Sequence, residues 1–422
     1  MRKINLGLIG LGTIGEGVYK LLKSQKNRIK KIYDIDIDLV KSCDISQSLR
    51  KKLKIEKKFF TNNYSDLIND SNIHTIIELI GGTTIANKIA IDCLNSGKNL
   101  ITANKALIAK NGASLHKLAE KKNVHLLYEA SVGGGIPIIN SIESSININN
   151  IKSFYGIMNG TCNYILSLMS NGIDFNEALK NAQNLGFAES DPTLDINGTD
   201  TAHKVAILSR NCFGFDTKID KFHISGIEDI SKIDIETANQ LGYKIKLIGV
   251  GKIKGDKVDL RVHLALLKNS NPLANVNEEF NAILIDSTNL GPVMKYGYGA
   301  GMMPTASAII SDIIKTSSYY KSSRQSLKKY SSFSIDNLKS KFYLRLNVKN
   351  KPGNLAKITT LFAKYSINIE KILQDTQNQK IKYVPVIITT KNTSYKVINK
   401  VINQLDKLSI ISKNPLLIPF ED

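Results

Sequence analysis

The feature that most constrains this fold is the N-terminal run INLGLIG, which is apolar almost throughout. A continuous apolar run predicts a strand buried on both faces of a parallel sheet. Glycines and the helical pattern IGEGVYKLLKS follow at once, and the strand-like segments HTIIELIGG, NLIT and VHLLYEA come later, with helical stretches between or after them. This alternation of strand and helix predicts a doubly wound α/β domain over residues 1–131.

Three glycines between the first predicted strand and helix stand in G-x-G-x-x-G spacing. Gly10 permits a tight turn, Gly12 lets the backbone approach a pyrophosphate, and Gly15 lets the helix pack close to the strand. The helix N-terminus then attracts the phosphates. The spacing therefore predicts dinucleotide binding, whereas the alternative is a plain glycine turn.

The end of the second predicted strand, IDIDLVKSCD, decides between NAD and NADP. Asp44 could accept a hydrogen bond from a ribose 2′-hydroxyl, and Arg50, Lys51 and Lys52 could meet a 2′-phosphate. Alternatively, Asp44, Arg50, Lys51 and Lys52 are only loop residues. The sequence leaves the choice of dinucleotide open.

The rest of the chain predicts three further segments. Residues 132–316 mix strands and helices, which predicts an α+β domain, and the Ser- and Lys-rich residues 317–340 predict a linker. In residues 341–422, FYLRLNV alternates as a half-buried strand does, and the predicted order βαββαβ is typical of a ferredoxin-like module.

Composition narrows the functional class. The net charge of +20 comes mostly from dispersed lysines, which favours a solvated surface over nucleic-acid binding. The four cysteines show no metal-ligand or disulfide spacing, and no apolar run reaches the length of a membrane span. The N-terminus has no signal-peptide layout. We therefore expect a cytoplasmic protein.

Acidic residues gather unexpectedly in the segment AESDPTLDINGTDTAHKVAILS, before its lysine. If TDTAHKVAIL is a helix, Asp200 and Lys204 are four residues apart and share a face. A neighbouring carboxylate favours the charged form of a lysine, whereas burial disfavours it. The pattern fits either a catalytic lysine or a surface ion pair.

Seven segments resemble, in order, those of homoserine dehydrogenases: GLIGLGTIGEGV, IIELIGGT, ITANKALIA, YEASVGGGIPII, GIMNGTCNYIL, GFAESDPTLDINGTDTAHK and GAGMMPTASAIISD. LRLNVKNKPGNLAKI resembles an ACT domain. The resemblance covers essentially the whole chain. It implies a Rossmann-type domain, a catalytic and dimerisation domain whose last helix packs back on the first domain, and an ACT-like regulatory module. It also implies reversible NAD(P)-dependent reduction of L-aspartate 4-semialdehyde to L-homoserine.

The resemblance implies roles for individual residues. Lys204 corresponds to the proton donor, and Lys105 to a second lysine beside cofactor and substrate. The residues that correspond to substrate contacts or their neighbours are Glu189, Asp195, Asp200, Gly160 and Thr161. The residues that correspond to cofactor contacts are Gly10, Gly12, Thr13, Ile14, Gly15, Lys105, Gly186 and Gly301. A monovalent cation, usually sodium in the family, is implied at Glu129, Val132, Gly134 and Ile136, although the glycines here could equally form a hinge.

Two departures from the family pattern matter. Many members of the family carry an arginine, which favours NADP, where this chain has Cys43. Asn350 stands where an aspartate is common in the ACT domain. The resemblance implies a homodimer or homotetramer and threonine as an effector, but the module could instead only dimerise. The rival hypotheses are an aldehyde dehydrogenase with Cys162 as nucleophile and an amino-acid sensor with a degenerate dehydrogenase body.

Overall fold

The computed structural model describes residues 1–146, 148–317, 329–374, 382–412 and 415–421, without the side chain of residue 145. The chain divides into two units. The first unit comprises Met1–Phe154, His203–Ile219 and Asn281–Lys329, and the second comprises Tyr155–Ala202, Asp220–Phe280 and Tyr330–Asp422.

The described residues form strands and helices of very different lengths. The strands are β1 (Arg2–Ile9), β2 (Ile35–Cys43), β3 (Phe60–Thr61), β4 (Thr75–Glu78), β5 (Asn99–Thr102), β6 (Leu126–Leu127), β7 (Ile151–Ile157), β8 (His223–Ile224), β9 (Tyr243–Lys254), β10 (Lys257–Lys268), β11 (Phe280–Ser287), β12 (Gly291–Tyr298), β13 (Ser331–Ser332), β14 (Lys339–Ser340), β15 (Phe342–Lys349), β16 (Ile369–Gln374), β17 (Tyr383–Thr390), β18 (Thr393–Ser394) and β19 (Leu416–Pro419). The α-helices are α1 (Thr13–Tyr33), α2 (Gln47–Lys52), α3 (Ser65–Ile68), α4 (Thr84–Asn95), α5 (Lys105–Lys122), α6 (Ile138–Ser141), α7 (Gly160–Ser170), α8 (Phe175–Asn184), α9 (Thr193–Ile196), α10 (Thr199–Phe213), α11 (Lys232–Gln240), α12 (Met302–Lys315), α13 (Asn354–Lys364) and α14 (Tyr395–Leu405). Within these described ranges, none of the helices is both long and apolar enough to cross a membrane.

The first unit is built on a parallel six-stranded sheet with the order β3-β2-β1-β4-β5-β6. Leu6 and Leu8 of the central strand are fully buried, which explains the apolar run. The chain order reverses between β1 and β4, where doubly wound sheets bind ligands beyond the carboxyl ends of their strands. The predicted doubly wound α/β fold is confirmed.

Two long helices pack together in the same unit. Ala306, Ile309 and Ile313 of α12 join the core cluster that contains Leu8 and Val18. At Gly17 of α1 an added Cβ would lie 2.8 Å from Cγ of Met302 in α12. Glycine therefore permits the close contact between these helices.

The second unit contains strands and helices, as expected for an α+β domain, and its sheet mixes parallel and antiparallel pairing. β9 and β10 form a long antiparallel hairpin, and the short strands β8 and β13 each pair parallel to β10. Helices α7 and α11 contact β9. The linker predicted over 317–340 lies partly outside the described residues. Its described part is not structureless, because it contains β13 and also β14, which pairs with β18.

The C-terminal residues of the second unit form the predicted βαββαβ module. Its antiparallel sheet has the order β16-β17-β15-β19 and carries α13 and α14. Phe342 and Leu344 enter the core of the module. The sequence predicts β15 as half-buried, which is wrong, because Tyr343 and Arg345 are buried as well. Both side chains bind Asp234 of α11 on the other face of the strand.

Candidate active site

The glycine loop of the first unit has the geometry that its spacing predicts. Gly10 has φ +95°, and an added Cβ would lie 2.7 Å from the carbonyl oxygen of Leu79. An added Cβ on Gly15 would lie 2.0 Å from the carbonyl oxygen of Gly10, whereas one on Gly12 would meet nothing within 4 Å. The loop is thus closed at its two ends and open at Gly12, directly before the N-terminus of α1. This geometry suits a phosphate.

The residues flanking the glycine loop differ in exposure. Thr13, the first residue of α1, is exposed, and Ile14 is partly buried. Both lie beside the open position at Gly12, and Gly15 follows them in the buried part of the helix. A ligand could therefore cover the exposed part of this turn, at Gly12 and Thr13.

The residues beyond β2 are held by local contacts. The carboxylate of Asp44 accepts hydrogen bonds from the backbone N–H groups of Leu11 at 2.6 Å and Ser46 at 2.8 Å. Arg50 donates to the carbonyl oxygen of Ile55 at 2.9 Å, which turns part of its guanidinium toward the protein. Asp44 therefore supports the glycine loop directly.

Lys52 pairs with an acidic side chain of α1. Its Nζ lies 2.6 Å from Oε2 of Glu16, a nearly buried carboxylate of α1 that also pairs with Lys20 at 2.7 Å. Burial raises the pKa of the Cys43 thiol to about 11. The structure leaves the choice between the dinucleotides as open as the sequence does.

A buried network fixes the start of α5, where Lys105 is the first residue. Glu78 at the end of β4 accepts hydrogen bonds from the hydroxyl of Thr102 at 2.6 Å and from the N–H of Ile80 at 2.7 Å. The side chain of Asn104 caps α5 by accepting from Leu107 and donates to the loop after β4. Burial raises the pKa of Glu78 to about 7. The network joins the carboxyl ends of the adjacent strands β4 and β5, and α5 begins at Lys105, three residues after Thr102.

Lys204 lies on α10 one turn after Asp200, so the predicted helix is confirmed. Lys204 is 7% exposed and Asp200 is 4% exposed, which excludes an ordinary surface ion pair. The C-terminal half of α10 is tied to α5 because Arg210 donates to the carbonyl oxygen of Ile108 at 3.0 Å. The helices that carry Lys105 and Lys204, α5 and α10, are therefore held together within the first unit.

Gly112 leaves room for the guanidinium of Arg210 against α5, because an added Cβ would lie 2.1 Å from Nη1 of Arg210. Neither Gly112 nor Arg210 was singled out from the sequence. An isolated glycine inside a helical pattern was the available signal, since such a residue often marks close packing.

In the second unit, Asn159 brings two acids together. Its Nδ2 donates to Oδ1 of Asp195 at 2.7 Å and to Oδ2 of Asp200 at 2.9 Å. The following residue, Gly160, begins α7, and Thr161 donates from its hydroxyl to the carbonyl oxygen of Phe187 at 2.6 Å. Asn159 was missed from the sequence, although an asparagine directly before a helix is a capping signal.

Other residues of the acidic segment have different positions. The side chain of Glu189 is exposed, and so is Gly186, which adopts φ +76°. The structure therefore joins Asp195 to Asp200 but leaves Glu189 at the surface of the second unit.

Cys162 is fully buried, and its thiol donates to the carbonyl oxygen of Asp195 at 3.2 Å. A buried thiol engaged in this way is poorly placed to be a nucleophile.

The glycine-rich segment after β6 is buried in the first unit. The carboxylate of Glu129 accepts hydrogen bonds from the N–H groups of Ile139 at 2.9 Å and Asn140 at 2.6 Å, at the N-terminus of α6. Burial raises the pKa of Glu129 to about 7, and it raises the pKa of Asp312, which accepts the N–H of Glu129. Glu129 thus supports the fold of this segment.

The segment has features that fit a monovalent cation held by oxygen atoms. Val132 and Ile136 are buried, and an added Cβ on Gly134 would lie 2.6 Å from the carbonyl oxygen of Gly299. The amide of Asn281 lies against Gly299 and has no hydrogen-bond partner among the described residues. Also within the described ranges, no group of three or more His, Cys, Asp or Glu side chains could hold a metal ion.

Gly301 completes the set of predicted residues in the first unit. It is the residue before α12 and has φ +116°, a conformation that favours glycine. Gly301 and Gly10 thus each stand in a glycine-favoured turn close to the N-terminus of a helix, α12 and α1 respectively.

Comparison with known proteins gives consistent matches over the whole chain. Residues 10–129 match the family model of the homoserine dehydrogenase NAD binding domain, residues 137–314 match that of homoserine dehydrogenase, and residues 344–413 match an AHAS small subunit-like ACT domain. The chain is 35% identical to the homoserine dehydrogenase of Neisseria gonorrhoeae, covering 100% of this chain and 99% of that protein. It is 34% identical to the enzyme of Bacillus subtilis, covering 98% and 97%. The crystal structure of a homoserine dehydrogenase from Thiobacillus denitrificans matches with a TM-score of 0.92 and 34% identity, covering 100% of this chain and 99% of that one.

Proposed function

The chain belongs to the homoserine dehydrogenase family and is an NAD(P)-dependent oxidoreductase, and on this premise we propose that Lys204 is its proton donor. L-Aspartate 4-semialdehyde is reduced when its carbonyl carbon receives a hydride and its carbonyl oxygen receives a proton. The bound nicotinamide supplies the hydride. The observation that carries the proposal is the burial of Lys204 on α10, one turn from Asp200.

The chemistry of the side chains supports this role. A lysine ammonium can donate a proton to the oxygen as negative charge develops there, and in the reverse direction the neutral amine accepts the proton of the homoserine hydroxyl. Lys105 is the second catalytic lysine of the proposal. Its position after the carboxyl end of β5 is where doubly wound sheets bind substrate and cofactor.

The acids of the second unit are proposed to bind the ammonium group of the substrate. Asp200 and Glu189 are the contacting carboxylates, and Asp195 lies beside Asp200. Gly160 and Thr161, at the N-terminus of α7, complete the substrate contacts. A cationic amine is the chemistry that such a group of acids recognises.

The cofactor contacts are proposed at the open glycine loop. Gly10, Gly12 and Gly15 shape the loop, and Thr13 and Ile14 begin the helix whose N-terminus faces the phosphates. Gly186, Gly301 and Lys105 are the remaining contacts. NADP and NAD both remain candidates. Asp44 and Lys52 already have local partners, so neither side chain decides between a ribose 2′-hydroxyl and a 2′-phosphate.

A bound sodium ion is part of the proposal. It would be held by the backbone carbonyls of Val132, Gly134 and Ile136 in the region of Glu129. The buried amide of Asn281 and the close approach of Gly134 to Gly299 support a site rich in oxygen atoms. A cation there would offset the cost of the buried carboxylate of Glu129.

Assembly and regulation are also proposed. Along β12, alternate side chains are exposed, among them Met294, Tyr296 and Tyr298. An exposed row of large apolar side chains on a sheet suits contact with a second copy of the chain, as a homodimer or homotetramer. The ACT-like module is proposed to bind threonine, with Asn350 offering an uncharged hydrogen-bonding group.

The proposed proton donor is tested by Lys204→Ala. We expect turnover to fall on the order of 100- to 10,000-fold, while NADPH binding stays intact. Lys180→Ala, which removes an exposed lysine from α8, is the matched control. A loss of less than about tenfold in Lys204→Ala would remove the residue from this role.

A further inference from the structure

The side chain of Asn159 uses its hydrogen-bonding atoms in three directions within the second unit. Oδ1 accepts the N–H of Cys162 at 2.8 Å and so caps α7. Nδ2 donates to Oδ1 of Asp195 and to Oδ2 of Asp200. Asn159 is 5% exposed, so these contacts are shielded from water.

The orientation of this amide is fixed by its neighbours. A flipped amide would place its NH₂ group against the N–H of Cys162 and its oxygen against two carboxylates. Every one of these contacts would then be repulsive, whereas in the observed orientation each is a hydrogen bond. The helix cap therefore determines that both donor hydrogens point to the acids.

The two carboxylates come from different helices and would repel each other if nothing joined them. Asp195 belongs to α9 and Asp200 to the first turn of α10. Resting on the proposed function, we propose that Asn159 is a positioning residue. It holds Asp195 beside Asp200 and so orients Asp200 to receive the ammonium group of the substrate.

The neutrality of asparagine is essential to this role. Its amide donates a hydrogen bond to each carboxylate without neutralising either negative charge. A lysine or arginine in the same place would form ion pairs with the acids and compete with the substrate. Serine could cap the helix equally well but has one donor and a shorter reach.

Contacts to the backbone of α9 also hold Asp195 in place. The carbonyl oxygen of Ile196 accepts the N–H of Ile227 at 2.7 Å, and an added Cβ on Gly226 would lie 1.8 Å from the same oxygen. The backbone of α9 is thus closely packed, and the thiol of Cys162 bonds to the carbonyl of Asp195. Asn159 therefore joins a fixed helix start to a fixed backbone, which is what a positioning residue requires.

The test compares Asn159→Ser with Asn271→Ser. Asn159→Ser keeps an acceptor for the helix cap but loses the two N–H donors of the amide. Asn271 caps the short helix Pro272–Asn275 of the same unit through its side chain, so its variant controls for the same chemical change. We expect Asn159→Ser to lower kcat/KM for L-aspartate 4-semialdehyde on the order of 10- to 100-fold, chiefly through KM. NADPH affinity should change by less than about threefold, and Asn271→Ser should resemble the wild type.

Asn159→Asp is the second variant, because it keeps the size and the cap of Asn159 and replaces the two donors by a third carboxylate. We expect it to lose at least as much kcat/KM as Asn159→Ser. The inference is overturned if either variant keeps wild-type kcat/KM, or if KM and NADPH affinity worsen equally. Absence of turnover in the wild-type protein would instead refute the proposed function.

Discussion

Arg345 of the ACT-like module and Asp234 of α11 form a buried ion pair within the second unit. Nε of Arg345 lies 2.8 Å from Oδ1 of Asp234, and the hydroxyl of Tyr343 donates to the same oxygen at 2.8 Å. Asp234 also closes a capping box with Ser231 at the start of α11. Because α11 contacts α7, this pair connects the module to the helix that Asn159 caps.

Removing one member of this pair should destabilise the protein strongly. In Arg345→Met, Asp234 is left as a buried carboxylate that has lost its cation, which typically costs about 3–5 kcal/mol. Thermal and urea unfolding measure the loss. The matched control is Lys341→Met, which breaks the exposed pair Lys341–Glu370 and should cost less than about 1 kcal/mol. Equal effects of the two variants would contradict this view of the interface.

Lys246 of β9 should make stability depend on pH. Its Nζ is buried and donates to the carbonyl oxygen of Val276 at 2.5 Å and to Asn163 at 3.0 Å, and burial lowers its pKa from the ordinary 10.5 to about 7. Between these values the unfolded chain holds a proton that the folded protein has released. The free energy of unfolding should therefore rise with pH over this window, by up to about 1.4 kcal/mol per unit.

Lys246→Met should remove that rise. Urea unfolding between about pH 6.5 and 10 measures the slope in the wild type and in the variant. Lys252→Met, which removes an exposed lysine of the same strand, should keep the wild-type slope. If Lys246→Met and the wild type have the same slope, the buried lysine does not titrate in this range.

Two alanine substitutions in the glycine loop should affect different properties, stability in one case and cofactor binding in the other. Gly15→Ala places a Cβ against the carbonyl oxygen of Gly10, so we expect a loss of stability of about 1–3 kcal/mol or more. Gly12→Ala meets no atom of the protein, so stability should change by less than about 0.5 kcal/mol. Its methyl group would instead occupy the position that we propose for the pyrophosphate, so the Kd for NADPH should rise. Thermal unfolding and NADPH fluorescence separate the two effects, and unchanged NADPH binding by Gly12→Ala would count against the loop as the cofactor site.

Glu189→Ala should raise the KM for L-aspartate 4-semialdehyde with little change in kcat, because Glu189 is proposed to bind the substrate ammonium. The exposed position of this side chain means that its loss should not affect folding. Glu177→Ala on α8 is the control for removing an exposed acid from the same unit. An unchanged KM in Glu189→Ala would leave Glu189 as a loop acid.

Local patterns in the sequence were enough to predict the parallel sheet, the helix that carries Lys204 and the βαββαβ module. Each depends on periodicity or on glycine spacing within a short window. α1 extends to Tyr33, beyond the predicted pattern, because Ile29 is buried on its inner face although its neighbours are polar. That burial depends on tertiary packing.

The contacts that a sequence window cannot show are long-range ones. The pairing of Arg345 with Asp234 joins residues from distant segments, and it buries the face of β15 that alternation assigns to solvent. Asn159 acquires its role from two acids that lie far along the chain. Glu78 likewise looks like a strand-end acid until Thr102 is seen to donate to it.

The most direct test of the central claim is turnover of L-aspartate 4-semialdehyde by the purified protein with sodium present. Oxidation of NADPH and of NADH is followed separately at about 340 nm. We predict turnover with at least one cofactor, and the ratio of the two rates measures the preference left open beside Cys43. No turnover with either cofactor, from protein shown to be folded, would contradict the account and favour an amino-acid sensor.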